Sequence, residues 1–193
     1  MNICVYGASG NELDPRYFEA AEELGSLLAG AGHALVFGGG AGGLMGAAAR
    51  GAAKQGGEII GIAPRFFDEP GILYQGCTRF VFTETMRERK AAMEAESDAF
   101  LALPGGIGTF EEFFETLTLK QLGRHSKPMV LLNTLSYYDP LLALLKQAEE
   151  QRFLSRGCFE LFRVCAAPAE ALDALEHSAP LTGSIRRLAD YCK

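Results

Sequence analysis

The chain lacks the sequence features of membrane, secreted and nucleic-acid-binding proteins. No apolar run reaches the ~18 residues that a membrane-spanning helix needs. The first residues, MNICVYGAS, have neither the basic stretch nor the long apolar run of a signal peptide. The net charge is −6 and no basic tail or stripe is present, so the chain is poorly suited to binding nucleic acid. We therefore expect a cytoplasmic protein that binds neither membranes nor nucleic acids.

Cysteine pairs with the spacing of metal or redox sites are also absent. Five cysteines occur, at positions 4, 77, 158, 165 and 192, and none forms a CxxC pair. The odd number and the spacing argue against a disulfide framework and against a zinc site, so we expect reduced thiols and no bound metal. Cys4 and Cys165 lie within apolar runs, which predicts that they are small core residues.

Short β-branched or aromatic runs alternate along the chain with longer helical patterns. Strands are predicted at 3–8, 33–38, 58–63, 79–84, 99–104, 128–133 and 162–167. Helices are predicted at 17–32, 43–56, 85–96, 109–123, 138–151 and 168–177. This alternation predicts an α/β fold, a Rossmann-like doubly wound parallel sheet of about seven strands with helices on both faces. We expect one nucleotide-binding catalytic domain over 1–177 and a C-terminal helical tail over 178–193.

In a sheet of this kind, ligands bind beyond the carboxyl ends of the strands. The loops Gly7–Gly10, Gly38–Gly43 and Pro104–Thr109 all follow predicted strands and therefore share that edge. His33 and His125 precede strands and belong at the opposite edge. Catalysis by histidine is therefore an unattractive hypothesis.

The first glycine-rich loop, FGGGAGGLMG, contains the pattern GxGxxG at Gly38, Gly40 and Gly43. That dinucleotide fingerprint belongs in the first βα turn and requires an acidic residue ~20 positions later, and this chain meets neither condition. The glycines are explained either by tight turning and close helix packing or by approach of the backbone to a ligand. We favour the approach to a ligand, because the loop holds more glycines than packing requires.

The second glycine-rich loop, PGGIGT, follows the fifth predicted strand and precedes a helix. Its backbone amides can bind an anion at the positive end of that helix. The sequence GK[ST] of a P-loop does not follow, so no lysine is placed for the outer phosphates of a triphosphate. Two such loops on one edge therefore favour a nucleoside monophosphate as the ligand.

Two Thr-x-x-Glu sequences match the capping box, in which the glutamate bonds back to the start of its helix. Thr85 and Glu88 form one pair, and Thr109 and Glu112 form the other. Taken alone, capping would explain Glu112. Arg89 would ordinarily be a solvated helix residue, but its position just after the fourth strand directs it to the same edge as Glu112.

Together, these segments resemble one known family. MRERK matches an MxxRK motif and PGGIGTFEE matches PGGxGTxxE, and GGGAGGLMG and KQLGRHSKP add to the similarity over roughly residues 2–177. The family is the "Lonely Guy" family of cytokinin riboside 5′-monophosphate phosphoribohydrolases, long labelled lysine decarboxylases. The resemblance implies a Rossmann-like dimer that hydrolyses the N-glycosidic bond of an adenosine 5′-monophosphate, often N6-modified, without a cofactor or a metal.

Matched motif by motif, the resemblance places the catalytic pair at Arg89 and Glu112. Glu112 would stabilise the positive charge that develops on the ribose and activate water, while Arg89 would bind phosphate and keep Glu112 ionised. Substrate- and phosphate-binding positions fall on Ser9, Gly39, Gly40, Met86, Lys90, Gly105, Gly106, Ile107, Gly108, Thr109, Phe110, Glu111 and Thr118. Segment 66–77, FFDEPGILYQGC, differs from the family's, so the base preference stays open.

Other functions fit parts of the same pattern. A nucleotide sensor or a molybdenum-cofactor carrier could keep both glycine loops without catalysis. A dinucleotide-dependent oxidoreductase is disfavoured by the misplaced fingerprint, and a pyridoxal-phosphate decarboxylase by the lack of a convincing Schiff-base lysine. We expect a homodimer, from the resemblance and from the methionine-bearing helix predicted at 85–96.

Overall fold

The computed structural model describes residues 1–178, in which strands and helices alternate in the predicted order. The strands are β1 (Asn2–Tyr6), β2 (Ala34–Phe37), β3 (Ile59–Pro64), β4 (Arg79–Thr83), β5 (Ala99–Ala102), β6 (Met129–Leu132) and β7 (Arg163–Cys165). The helices are α1 (Pro15–Gly30), α2 (Gly43–Lys54), α3 (Met86–Glu96), α4 (Ile107–Gln121), α5 (Asp139–Glu150) and α6 (Pro168–Glu176). The predicted tail at 178–193 lies outside the described residues, apart from Ser178.

Within residues 1–178, the seven strands form a parallel sheet in the order β4-β3-β2-β1-β5-β6-β7. The chain runs outward from β1 to β4 and then returns to place β5 on the other side of β1. This is the predicted doubly wound, Rossmann-like fold. The strand order reverses at β1, so the loops after β1, β2 and β5 meet in one crevice, where ligands bind in such sheets.

Each face of the sheet is covered by three helices of the described chain. Ile3 and Val5 of β1 face the core formed with α1, α2 and α6, whereas Cys4 and Tyr6 face α3, α4 and α5. Cys4 and Cys165 are buried, as predicted, and burial raises the pKa of the Cys4 thiol to about 12. None of the helices described here combines the length and apolar character that crossing a bilayer requires.

Close packing of α1 on α2 depends on glycine. A Cβ atom at Gly25 would lie 1.9 Å from the carbonyl oxygen of Ala48. Because backbone must move to relieve this clash, Gly25→Ala is expected to lower the free energy of unfolding by at least about 2 kcal/mol in urea denaturation. Gly30→Ala is the control, since a Cβ there meets nothing within 4 Å. Equal stability of the two variants would contradict the prediction.

Candidate active site

A cleft of about 670 Å³ lies beyond the carboxyl ends of the central strands. Its walls come from the loops that follow β1, β2 and β5, from the beginnings of α3 and α4, and from the segment between β3 and β4. A groove of similar size, about 710 Å³, lies along α1, but none of the predicted site residues lines it. The cleft is therefore the candidate active site.

The glycines after β2 permit close packing, and Gly40 also lines the cleft. A Cβ at Gly38 would lie 2.1 Å from Nη2 of Arg89, so the missing side chain makes room for the guanidinium. Gly43 has a φ of +61° and packs against the loop after β1, and its N–H donates to Oδ1 of Asn11 at 2.8 Å. Gly40 instead lines the cleft, where its backbone is open to a ligand.

The second glycine loop forms the start of α4. Gly106 is the N-cap and supplies no side-chain cap, and the helix begins at Ile107. The N–H groups of Ile107, Gly108 and Thr109 donate to no acceptor in the described residues, and all three residues line the cleft. Free amides at the positive end of a helix are the arrangement that suits an anion, and the prediction of an anion site here rests on them.

The early start of α4 makes the capping-box interpretation of Glu112 wrong. Thr109 is the third helical residue and Glu112 the sixth, so neither occupies a capping position. At α3 the interpretation is correct for the cap residue, because Oγ1 of Thr85 accepts from the N–H of Glu88 at 3.1 Å. The Glu88 carboxylate bonds back to the N–H of Glu84 instead of Thr85. Glu112 therefore needs a reason other than capping.

Glu112 forms a buried ion pair with Arg89. Nη2 of Arg89 lies 3.0 Å from Oε1 of Glu112, and the two residues are 6% and 8% exposed. Nε of Arg89 also donates to the carbonyl oxygen of Ile62 at 3.3 Å, which fixes the guanidinium against the sheet. Burial raises the pKa of the Glu112 carboxyl, and the nearby positive charge of Arg89 opposes this effect only in part. Arg89 thus acts in the expected direction, but desolvation outweighs it.

The structure brings most of the predicted site residues into the cleft. Those that line it are Ser9, Gly40, Met86, Arg89, Gly106, Ile107, Gly108, Thr109 and Glu112. Those that do not are Gly39, Lys90, Gly105, Phe110, Glu111 and Thr118. Lys90 instead forms ion pairs with Glu111 and, at 2.7 Å, with Glu115, which join α3 to α4.

Residues 66–77, which we call the strap, contribute cleft residues that were not among the predicted site residues. The N–H of Ala41 donates to the carbonyl oxygen of Ile72 at 2.9 Å, and that of Tyr74 to the carbonyl oxygen of Gly39 at 2.8 Å. These bonds hold the strap on the first glycine loop and place Phe67 and Ile72 in the cleft wall. The apolar residues FF and GIL, within an otherwise irregular segment, were the sequence feature that could have indicated a role in the cleft wall.

Other kinds of chemistry find no support in this cleft. None of the three histidines lines it, and His33 bonds to Glu176 while His125 bonds to the carbonyl oxygen of Thr116. Across residues 1–178, no group of three or more His, Cys, Asp or Glu is arranged to hold a metal ion. The site is therefore defined by one carboxylate, one guanidinium and a set of backbone amides.

Comparison with known proteins gives matches over most of the chain. A family model described as "Possible lysine decarboxylase" matches residues 45–175. A Rhodococcoides fascians protein named cytokinin riboside 5′-monophosphate phosphoribohydrolase is 40% identical over 161 residues, covering 83% of this chain and 81% of that protein. An Arabidopsis thaliana protein with the same name is 36% identical over 178 residues, covering 92% and 84%.

Solved structures share the fold. The molybdenum cofactor binding protein from Rippkaea orientalis has a TM-score of 0.70 and 25% identity, covering 91% of this chain and 94% of that one. The molybdenum cofactor carrier protein from Chlamydomonas reinhardtii has a TM-score of 0.69 and 26% identity, covering 91% and 95%. The fold is thus shared with solved proteins that are named as binders or carriers of the molybdenum cofactor.

Proposed function

The chain belongs to the Lonely Guy family of cytokinin riboside 5′-monophosphate phosphoribohydrolases, and we propose that it hydrolyses adenosine 5′-monophosphates, N6-modified ones included, to the free base and ribose 5-phosphate. The observation that carries this proposal is the buried Arg89–Glu112 pair, which shares one cleft with the free amides at the start of α4. Such a cleft provides an anion site and a carboxylate within reach of one small ligand.

The start of α4 is suited to binding the 5′-phosphate of the substrate. The N–H groups of Ile107, Gly108 and Thr109 and the helix dipole supply a local positive field, although the net charge of the chain is −6. Backbone donors of this kind require the close approach that glycine permits. Binding the phosphate here fixes the ribose at a defined distance from the helix, toward Glu112.

Glu112 is the group that stabilises the positive charge created in the reaction. Cleavage of C1′–N9 leaves the electron pair on the base and builds positive charge on the ribose. A carboxylate beside C1′ stabilises that charge and takes a proton from the attacking water. Arg89 holds the carboxylate in place through a charge-assisted hydrogen bond, and both side chains are nearly free of competing solvent.

Apolar side chains line the part of the cleft in which the base would lie once the phosphate and ribose are bound. Phe67 and Ile72 of the strap and Met86 of α3 line the cleft and are each more than a third exposed. Apolar surface of this kind favours a purine ring that carries an apolar N6 substituent over a more polar base. We therefore include N6-modified substrates in the proposal.

Base release from a panel of nucleotides tests the proposed activity. Purified protein is incubated with AMP, N6-isopentenyl-AMP, GMP and adenosine, and free base and ribose 5-phosphate are quantified together. We expect equal amounts of the two products from the adenine-type monophosphates and none from adenosine, which lacks the phosphate. Folded protein that releases no base from any purine monophosphate would contradict the proposal.

The pKa of Glu112 predicts how the activity depends on pH. Only the ionised carboxylate accepts a proton, and burial raises its pKa above the usual 4.5. The turnover number is therefore expected to increase as pH rises through a midpoint above 4.5. AMP affinity measured over the same range separates this effect from titration of the 5′-phosphate. A midpoint at or below the usual value would contradict the assignment.

A carrier or sensor function is the second candidate, favoured by the two molybdenum-cofactor proteins that share the fold. Tight AMP binding without base release would support it. A decarboxylase has less support, because no lysine of the described chain lines the cleft. Burial lowers the pKa of Lys120 to about 8, but this residue lies outside the cleft wall.

We also propose a cytoplasmic homodimer that binds neither membranes nor nucleic acids. The support for the dimer is family membership, because the methionines of α3 have other roles. Met93 is buried in the core, and Met86 lines the cleft. Light scattering at micromolar concentration is expected to give twice the chain mass of 20.8 kDa, and a monomeric mass would refute the assignment.

A further inference from the structure

Glu112 lies between the cleft and a second, smaller cavity. This rear cavity, of about 110 Å³, is formed between α3 and α4 and exceeds the space that one water needs. Tyr6, Lys90 and Thr116 line the rear cavity but not the cleft, whereas Glu112 lines both. Glu112 is therefore the residue that the two spaces share.

The wall of the rear cavity near Glu112 carries hydroxyl groups. Oγ1 of Thr116 donates to the carbonyl oxygen of Glu112 at 2.9 Å and lies 3.1 Å from the hydroxyl of Tyr6. Because a threonine has one hydroxyl proton, Tyr6 donates to Thr116, and the Tyr6 hydroxyl is also hydrogen-bonded with the thiol of Cys4. The Thr116 oxygen keeps one lone pair, which can bind a water in the rear cavity.

One oxygen of the Glu112 carboxylate is available for a further hydrogen bond. Oε1 of Glu112 is paired with Arg89, while Oε2 has no hydrogen-bond partner among the residues that the structure describes. A nucleotide seated in the cleft would displace solvent from the front of Glu112. Hydrolysis still requires a water at this carboxylate after the nucleotide has bound.

We propose that the attacking water reaches Glu112 through the rear cavity. The inference rests on the proposed hydrolase function and extends it. The water oxygen forms a bond to C1′ as the C1′–N9 bond breaks, and N9 takes the electron pair. Oε2 of Glu112 accepts one proton from this water and returns it to the water of the rear cavity, while the base acquires a proton from solvent.

Filling the rear cavity from α3 is the first test. Ala91 is exposed and lines the cavity, so Ala91→Leu adds volume there without burying a new group in the core. We expect turnover to fall about tenfold or more while AMP affinity stays unchanged. Ala95→Leu is the matched control, because Ala95 is exposed one helical turn further along α3 and does not line the cavity.

Removing a hydroxyl from the wall of the rear cavity is the second test. It tests the proposal even if Ala91→Leu alters the folding of the protein or its mass measured by light scattering. Thr116→Val keeps the side-chain shape and is expected to lower turnover severalfold with AMP affinity unchanged, whereas Thr116→Ser is expected to retain activity. Wild-type turnover in both Ala91→Leu and Thr116→Val would overturn the rear-cavity route. Absence of base release from the wild-type protein would instead overturn the proposed function.

Discussion

Replacing Glu112 with glutamine is expected to leave the protein folded and able to bind AMP, but to slow base release about a hundredfold or more. Glutamine keeps the side-chain length and can still accept a hydrogen bond from Arg89, whose Nη2 lies 3.0 Å from Oε1. The variant loses the negative charge beside C1′ and the ability to take a proton from water. Melting temperature, AMP affinity and single-turnover base release separate these effects.

Glu111→Gln is the matched control for this experiment. Glu111 precedes Glu112 on the same helix and carries the same charge, but it is exposed and does not line the cleft. Its partner Lys90 keeps a second ion pair with Glu115 at 2.7 Å. We expect Glu111→Gln to turn over at close to the wild-type rate. Equal, unimpaired turnover in both variants would show that Glu112 has no catalytic role.

Adding a single methyl group at Gly38 is expected to reduce turnover about a hundredfold, the scale of effect known for a displacement of about 1 Å in a catalytic group. The Cβ of Gly38→Ala would lie 2.1 Å from Nη2 of Arg89, the atom that pairs with Glu112, so the guanidinium must leave its present position. Gly38 itself has no side chain that could act on the substrate. A loss of turnover would therefore report on the position of Arg89.

Two further variants identify the cause of that loss. Gly10→Ala, in the loop after β1, adds the same methyl group where nothing lies within 4 Å, and it is expected to retain activity. Arg89→Lys is expected to be impaired alone, and adding Gly38→Ala to it should lower turnover little more, because both changes act on the same contact. Fully additive losses would show that Gly38 matters for a reason unrelated to Arg89.

The fold could be predicted because the information for it is local. Each strand is a short apolar run, and each helix has an apolar periodicity and residues that mark its start and end. The order of elements therefore follows directly from the sequence. The carboxyl-edge rule for parallel sheets then placed Ser9, Gly40, Arg89 and Glu112 together without any knowledge of side-chain contacts.

The parts of the site that could not be predicted depend on non-local contacts. The strap is held by hydrogen bonds from Ala41 and Tyr74 to residues more than thirty positions away, which no local pattern encodes. The start of α4 was misplaced because its N-cap is Gly106, which has no side chain to mark the position. Lys90 lies in the expected motif, but the charges of Glu111 and Glu115 hold it outside the cleft.

The attachment of the strap has a consequence for how substrate preference evolves. Its bonds to the first glycine loop join main-chain atoms only, at Ala41, Ile72, Gly39 and Tyr74. Replacement of the Ile72 side chain therefore alters the surface offered to the base while the bonds that hold the strap remain available. If the base lies against the strap as proposed, base preference can change through the Ile72 side chain without any change to the Arg89–Glu112 pair or to the bonds that hold the strap.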